Sequence, residues 1–216
     1  MSLELKKRII TSFFLLFLLL LMFNYNFILI IALIIIAIIT WIEFYGLISK
    51  IFKKDNLKEK ILRLLSKATS LIYLSLIIFL IITNFNQKID IFFILLISIF
   101  SDIGGLVVGK TFKGKKLSRI SPNKTISGSI GSLVFSLMLI PIFYSQLNTF
   151  SLYLLIFYII TISIVSQLGD LFISLLKRKA KVKNTSDLLP GHGGFLDRID
   201  GVIFAVPVGI LLLNIF

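Results

Sequence analysis

The feature that most constrains this chain is a series of apolar runs, each near or above the length that crosses a bilayer, separated by short polar connections. About 20 consecutive apolar residues span the hydrocarbon as a helix, which satisfies its own backbone hydrogen bonds where no water is present. The runs fall at about 8–23, 27–48, 69–84, 90–109, 126–144, 150–176 and 199–215. With 57% of its 216 residues hydrophobic, the chain is predicted to be all-α, a polytopic transmembrane helix bundle of about seven spans. It divides coarsely into N-terminal helices with a basic loop (1–89) and a second region (90–216) carrying two further loops, 110–125 and 177–198.

Lys6, Lys7 and Arg8 ahead of the first run have the look of a signal peptide, but no small-residue cleavage site follows and more runs come directly after. The segment therefore reads as a retained first helix. The absence of cysteine excludes disulfides, thiolate chemistry and Cys-bound metals. A net charge of +13 in a soluble protein would suggest nucleic acid. Its placement argues otherwise. Of 23 Lys and Arg residues, all but Lys88 fall in the N-terminal segment or in the second, fourth and sixth connections and their flanks. The positive-inside rule puts those segments in the cytoplasm and makes the opposite connections, near 24–26, 84–90 and 145–149, external. They are too short for an external domain, so any chemistry belongs to the cytoplasmic face or the helices.

Ionisable groups inside a span are costly and mark candidate sites. In the fourth run Ser98, Ser101, Asp102, Gly105 and Gly109 share a helical face. In the sixth, Ser163, Ser166, Gln167, Asp170, Ser174 and Lys177 form a polar stripe, predicted to face the protein interior. Lys177 lies too far along a straight helix to pair directly with Asp170. Gly128, Ser132 and Ser136, and likewise Gly201, Ala205 and Gly209, repeat every four residues as close-packing stripes. Glu43, between Trp41 and Tyr45, reads as a carboxylate at an interfacial aromatic belt.

Two loops carry candidate chemistry. The first, 110–125, is dense in Lys and hydroxyls and suits phosphate, with Ser121, Lys124 and Thr125 around Pro122, though it lacks the spacing of a Walker A loop. The second contains Pro190-Gly191-His192-Gly193-Gly194, whose glycines permit positive φ and close approach by a ligand. Asp197 and Asp200 follow, Asp170 precedes, and Lys177, Arg178, Lys183 and Arg198 flank them. Carboxylates among cations and a Gly-rich turn describe a Mg²⁺–polyphosphate site. Asp170 and Asp197 are expected to approach each other and share a divalent ion, while Asp200 serves as a third ligand or simply starts a helix. His192, the single histidine, is as well explained by a turn-stabilising hydrogen bond.

This second loop resembles the C-terminal signature of the phosphatidate cytidylyltransferase family. The resemblance rests on Ser174, Lys177, Arg178, Lys183, Ser186, Leu189, Pro190, His192, Gly193, Gly194, Asp197, Arg198 and Asp200 in one register. Ser121-Pro122-Asn123-Lys124-Thr125 with Gly128, and Gln167-Leu168-Gly169-Asp170, are similar to two further family segments. Asn184, Ser127 and Gly104-Gly105 depart from it, standing where the family has Asp, Glu and Ala-Tyr. The resemblance implies transfer of a cytidylyl group from CTP to phosphatidic acid, giving CDP-diacylglycerol and pyrophosphate for phospholipid biosynthesis. It implies Asp170, Asp197, Lys177 and Arg198 as catalytic residues. Substrate binding then falls to Asp102, Ser121, Lys124, Thr125, Ser174, Arg178, Lys183, His192, Gly193 and Gly194, and Mg²⁺ to Asp170, Asp197 and Asp200. A second cation and a homodimer stay open. The implied location is the inner (cytoplasmic) membrane with the site on its cytoplasmic side, and no nucleic-acid partner.

Three rivals are weaker. Asp197-Arg-Ile-Asp200-Gly201 has the start of a CDP-alcohol phosphotransferase pattern, but the remainder is missing downstream. CTP-dependent transfer to another lipid acceptor shares the chemistry. A cation-coupled transporter would explain Asp102 and Asp170 but predicts an internal repeat, and none is present. The charge distribution also makes a direct prediction. A topology reporter fused after Phe216 will report the external side, and a cytoplasmic signal would overturn the span count.

Overall fold

The computed structural model describes residues 3–118, 121, 124–144, 151–191 and 193–215. Among these are nine helices and no strand: α1 (Leu3–Asn24), α2 (Asn26–Ile51), α3 (Leu57–Thr83), α4 (Lys88–Phe112), α5 (Ile126–Leu137), α6 (Ile140–Phe143), α7 (Leu152–Lys179), α8 (Leu196–Ile199) and α9 (Val202–Leu213). Five segments are long and apolar enough to cross a membrane: α2, α3, α4, α7 and the stretch Ile126–Phe143. Ile9–Asn24 and Val202–Leu213 are shorter apolar helices. The chain is thus an all-α, polytopic membrane protein, as its apolar runs predict.

Three boundaries differ from the sequence expectation, each for a local reason. Helix α3 starts at Leu57 rather than near 69. An apolar run stops at the first lysines, but the helix continues past them, with Leu57, Ile61, Leu64 and Leu65 at helical spacing and exposed. Lys60 and Arg63 in this extension pair with Asp55 at 3.3 and 3.6 Å. The fifth run is broken after Leu137, and Pro141 sits in the first turn of α6. Proline has no N–H to give the carbonyl four residues back, which is that of Leu137, so an unbroken helix is disfavoured there. The seventh run opens with the single turn α8, bends at Asp200–Gly201, and continues as α9.

The chain forms two compact units, Met1–Thr83 with Leu176–Ile199, and Asn84–Leu175 with Asp200–Phe216. In the first, α2 packs on both α1 and α3. Its inner face carries Ala32, Thr40, Glu43, Leu47 and Ile48, while Ile31, Ile34, Ile35, Ile38 and Ile42 stay exposed as a lipid-facing side suits. Trp41 Nε1 donates to the Lys67 carbonyl at 3.3 Å, and Lys67 Nζ lies 5.0 and 4.9 Å from the Trp41 and Tyr45 ring centroids. These contacts fix α3 against the end of α2 that carries Glu43.

In the second unit α4 and α5 approach through their backbones. A Cβ at Gly128 would lie 2.8 Å from the Gly105 carbonyl oxygen, and one at Gly105 would lie 2.7 Å from Ser132 Oγ. Ser132 Oγ donates to the Ser101 carbonyl at 2.7 Å, and Ser136 Oγ to that of Ile97 at 3.3 Å. Small residues and hydroxyls are what lets two membrane helices pack this closely. The close-packing role expected for Gly201, Ala205 and Gly209 holds as well: Ala205 is fully buried, a Cβ at Gly209 would meet Ile94, and one at Gly201 would meet Ser166. Phe93 anchors the core, its ring centroid 4.5 Å from Phe143 and 6.1 Å from Tyr158, whose hydroxyl donates to the Gly209 carbonyl.

Two glycine substitutions should therefore move stability in opposite directions. A Cβ at Gly131 would meet Val108 and lie 2.8 Å from the Gly104 carbonyl oxygen, whereas at Gly46 nothing lies within 4 Å. Gly131→Ala is expected to lower stability by about 1–3 kcal/mol through overpacking. Gly46→Ala is expected to raise it by about 0.5–1 kcal/mol, since alanine loses less backbone entropy in a helix. Thermal unfolding of the detergent-solubilised protein measures both.

Candidate functional site

In the first unit the segment after α7 folds back on itself. Leu189 and Gly193 exchange two backbone hydrogen bonds, of 2.8 and 3.1 Å, which close the turn around Pro190 and Gly191. Gly191 and Gly193 have φ of 77° and 84°, so the turn uses the positive φ expected of them. Thr11 on α1 donates its hydroxyl to the Pro190 carbonyl at 3.1 Å.

Beneath this turn lies Glu43, only 6% exposed. Its Oε1 accepts from Ser186 Oγ (2.6 Å) and the Phe195 amide (2.9 Å). Its Oε2 accepts from Thr185 Oγ1 and the Leu196 amide, both at 2.8 Å. Each oxygen thus has two donors, filling the carboxylate's usual acceptor positions. This corrects the reading of Glu43 as an interfacial carboxylate: it is turned inward and ties α2 to the loop. No spacing in the sequence signals this, because all four donors are more than 140 positions away.

Asp197 forms the second acidic centre of the loop. Lys177 Nζ lies 2.7 Å from Oδ1, with the two side chains 17% and 7% exposed. Oδ2 accepts from the Thr185 amide (2.8 Å), Thr185 Oγ1 (3.0 Å) and the Gly194 amide (3.0 Å). Burial pushes this carboxyl's pKa up, but the Lys177 hydrogen bond, the Thr185 amide, the Lys177 charge and the Gly194 amide together outweigh it and hold it below the ordinary value. Gly194 admits no side chain, since a Cβ there would run into Thr185 Oγ1 and lie 2.7 Å from Glu43 Oε2.

In the second unit Asp170 Oδ2 pairs with Lys124, and Ser174 Oγ donates to Asp170 Oδ1 at 3.3 Å. The two charged side chains are 26% and 27% exposed. Lys124 is placed by a folded-back loop in which the Leu117 amide donates to the Lys124 carbonyl (2.8 Å) and the Lys124 amide to that of Ser121 (3.1 Å). Thr125 caps α5, accepting from the Gly128 amide at 3.1 Å. The polar stripe of α7 turns inward as expected: Ser163 Oγ is 3.0 Å from Ser101 Oγ, and Gln167 Oε1 accepts from Ser129.

Comparison with known proteins assigns the chain to a family. The cytidylyltransferase family matches residues 3–216. The chain belongs to that family. Among its curated relatives, the phosphatidate cytidylyltransferase of Bacillus subtilis is 44% identical over 119 residues, which is 54% of this chain and 44% of that protein. That of Rickettsia bellii is 40% identical over 144 residues, 62% of each chain. That of Staphylococcus haemolyticus is 43% identical over 118 residues, 53% of this chain and 44% of the relative. The chain thus spans about half the length of the curated relatives it matches.

Within this cytidylyltransferase-family chain the remaining candidates take varied positions. Asp102 lies exposed on α4, and Arg178, Lys183 and Arg198 are exposed cations. Asp200 is buried in the turn before α9, where its Oδ1 accepts from the Gly201 amide at 3.0 Å. His192 lies outside the described residues. Among those described, no three acids or histidines cluster as a ready-made metal cage. Mg²⁺ does not require one, since it commonly takes one or two carboxylates and completes its octahedron with water and substrate phosphate. Asp170 and Asp197 are hard oxygen donors, and each is paired with a lysine, Lys124 and Lys177 respectively.

The lowered Asp197 pKa sets a pH test. A depressed folded-state value means that the stabilisation is complete above the unfolded value of about 3.9 and disappears as pH falls through the folded value. Protection of the Thr185 and Gly194 amides, corrected for intrinsic exchange, should persist at about pH 5 and be lost only below about pH 4. Lys177→Met should move that loss to higher pH.

Proposed function

We propose that the chain transfers the cytidylyl group of CTP to phosphatidic acid, producing CDP-diacylglycerol and pyrophosphate. The observation that best supports this is Asp197, held with Lys177 inside the loop that carries the family's signature, in a chain whose relatives are named phosphatidate cytidylyltransferases. In the reaction an oxygen of the lipid phosphate attacks the α-phosphorus of CTP. The bond from that phosphorus to the bridging oxygen breaks, and pyrophosphate leaves with the electron pair. A phosphate monoester, with a second pKa of about 6, is already ionised at neutral pH, so the attack needs no general base.

The demand on the protein is to bring two polyanions together and hold them in line. Lys124, Lys177, Arg178, Lys183 and Arg198 supply positive charge for the phosphates. Ser121, Thr125 and Ser174 supply hydroxyls, and Asp102 and His192 are assigned to substrate contacts; the expected approach of a ligand to Gly193 and Gly194 is not met, since both are buried within the loop, Gly194 against Thr185 and Glu43. Bound Mg²⁺, with Asp170 and Asp197 as its carboxylate ligands, would neutralise charge developing on the phosphoryl oxygens. Lys124 and Lys177 pair with these two carboxylates and orient them. In this reading the buried Asp200 serves the turn into α9. By the positive-inside rule the basic connections support a cytoplasmic face of the cell membrane for this chemistry, where soluble CTP and a lipid headgroup would meet.

The test is direct. Purified protein in lipid–detergent micelles is given labelled CTP and Mg²⁺ with either phosphatidic acid or a polyprenyl phosphate. CDP-diacylglycerol and pyrophosphate should form in equal amounts, and chelation should stop the reaction. Product from the polyprenyl phosphate alone would overturn the acceptor, and no product from either would overturn the activity. Asp170→Asn and Asp197→Asn should each lower turnover by on the order of 100-fold or more while the protein still inserts.

A further inference from the structure

Glu43 is the acid that the proposed chemistry leaves unused, and it is the most completely engaged. It sits on α2, far in sequence from the loop it holds, and its hydrogen bonds go to none of the residues assigned to phosphate or cation. Its partners nevertheless alternate with those of Asp197 along one stretch of backbone. The Gly194 amide donates to Asp197, and the next two amides, of Phe195 and Leu196, donate to Glu43. On the other strand of the loop, Thr185 serves both acids. Its amide donates to Asp197 Oδ2, and its hydroxyl lies 2.8 Å from Glu43 Oε2 and 3.0 Å from Asp197 Oδ2. The Thr185 hydroxyl, with one proton to donate, therefore stands between the two carboxylates.

From this shared network we infer that Glu43 is a positioning residue: it fixes the 184–196 loop and, through Thr185 and the 194–196 backbone, sets where the Asp197 carboxylate stands. The inference rests on the proposed nucleotidyl transfer, in which Asp197 is a cation ligand. The geometry gives the reason. Two backbone amides aimed at a buried carboxylate cannot turn elsewhere, and they leave the loop one position relative to α2. Gly194, with no space for a Cβ between Thr185 and Glu43, packs the loop against this acid. Groups that orient a metal ligand without touching the metal have effects of about 10- to 100-fold when altered.

Glutamine is the informative replacement. Glu43→Gln keeps the shape but turns an NH₂ group toward one of the two amides, so either Phe195 or Leu196 loses its acceptor. Thr185→Val is the second variant, because it removes the shared hydroxyl and keeps the volume and the Thr185 amide. The chain has no cysteine, so a single nitroxide label can be placed at will. Asp187→Cys puts it on the exposed loop, and Lys110→Cys puts a control on the exposed end of α4. The full chain in lipid nanodiscs is then read three ways: label mobility by electron paramagnetic resonance, melting temperature, and steady-state kinetics of the unlabelled protein.

Glu43→Gln should mobilise the label at 187 and leave the label at 110 unchanged. Its kcat should fall at least about tenfold with KM for CTP within about threefold, since Glu43 orients a ligand and does not bind the nucleotide. Thr185→Val should shift both readouts in the same direction by less. Three results would each overturn the inference: an unmoved loop label in both variants, mobilisation at 187 and 110 together with a lowered melting temperature, or a mobile loop with unchanged kcat. If the wild-type chain makes no CDP-lipid, the proposed reaction fails instead, and the two labels still decide whether Glu43 holds the loop.

Discussion

A carboxylate inside a helical membrane protein must be met by hydrogen-bond donors or by a cation, because bulk water is not at hand to solvate it. That requirement organises the polar parts of this chain. Glu43 meets it with two hydroxyls and two backbone amides. Asp197 meets it with Lys177 and two amides, and Asp170 with Lys124 and Ser174. Each solution fixes a loop to a helix. The acids thereby do structural work before any ligand arrives, each holding its loop in place.

The same pairing suits the chemistry proposed for the chain. A site for two polyanions needs excess positive charge, yet a divalent cation needs carboxylates, and carboxylates left alone would repel the phosphates. Lysines set against Asp170 and Asp197 reconcile these demands. They balance the acids in the structure, and in the proposed reaction would remain beside them as counter-charges for phosphate oxygens. Charges oriented in advance need little reorganisation during the reaction, and electrostatic preorganisation of this kind is commonly the largest part of catalysis.

Much of this was legible in the sequence, and the exceptions share a cause. Apolar runs gave the helices, because span length is dictated by the bilayer, but not the breaks in the fifth and seventh runs, which hydropathy alone does not register. The signature loop pointed to Asp197, Lys177 and the positive-φ turn at Gly191 and Gly193, since those constraints are local. The partner of Asp170 was not legible. Helical spacing excluded Lys177 but could not select Lys124, which reaches Asp170 only after α5 and its preceding loop are packed. Glu43 was missed for the same reason: its meaning lies in donors from the other end of the chain. The extension of α3 to Leu57 was hidden by its lysines, which interrupt hydropathy but not a helix.

The most direct test of how these acids are used replaces Mg²⁺ with paramagnetic Mn²⁺ in the presence of CTP. If Asp170 and Asp197 hold a cation against the nucleotide's phosphates, the bound Mn²⁺ will show hyperfine coupling to ³¹P, and Asp170→Asn will abolish the bound signal in protein that remains folded. Tight Mn²⁺ binding with unchanged phosphorus coupling in that variant would contradict the account.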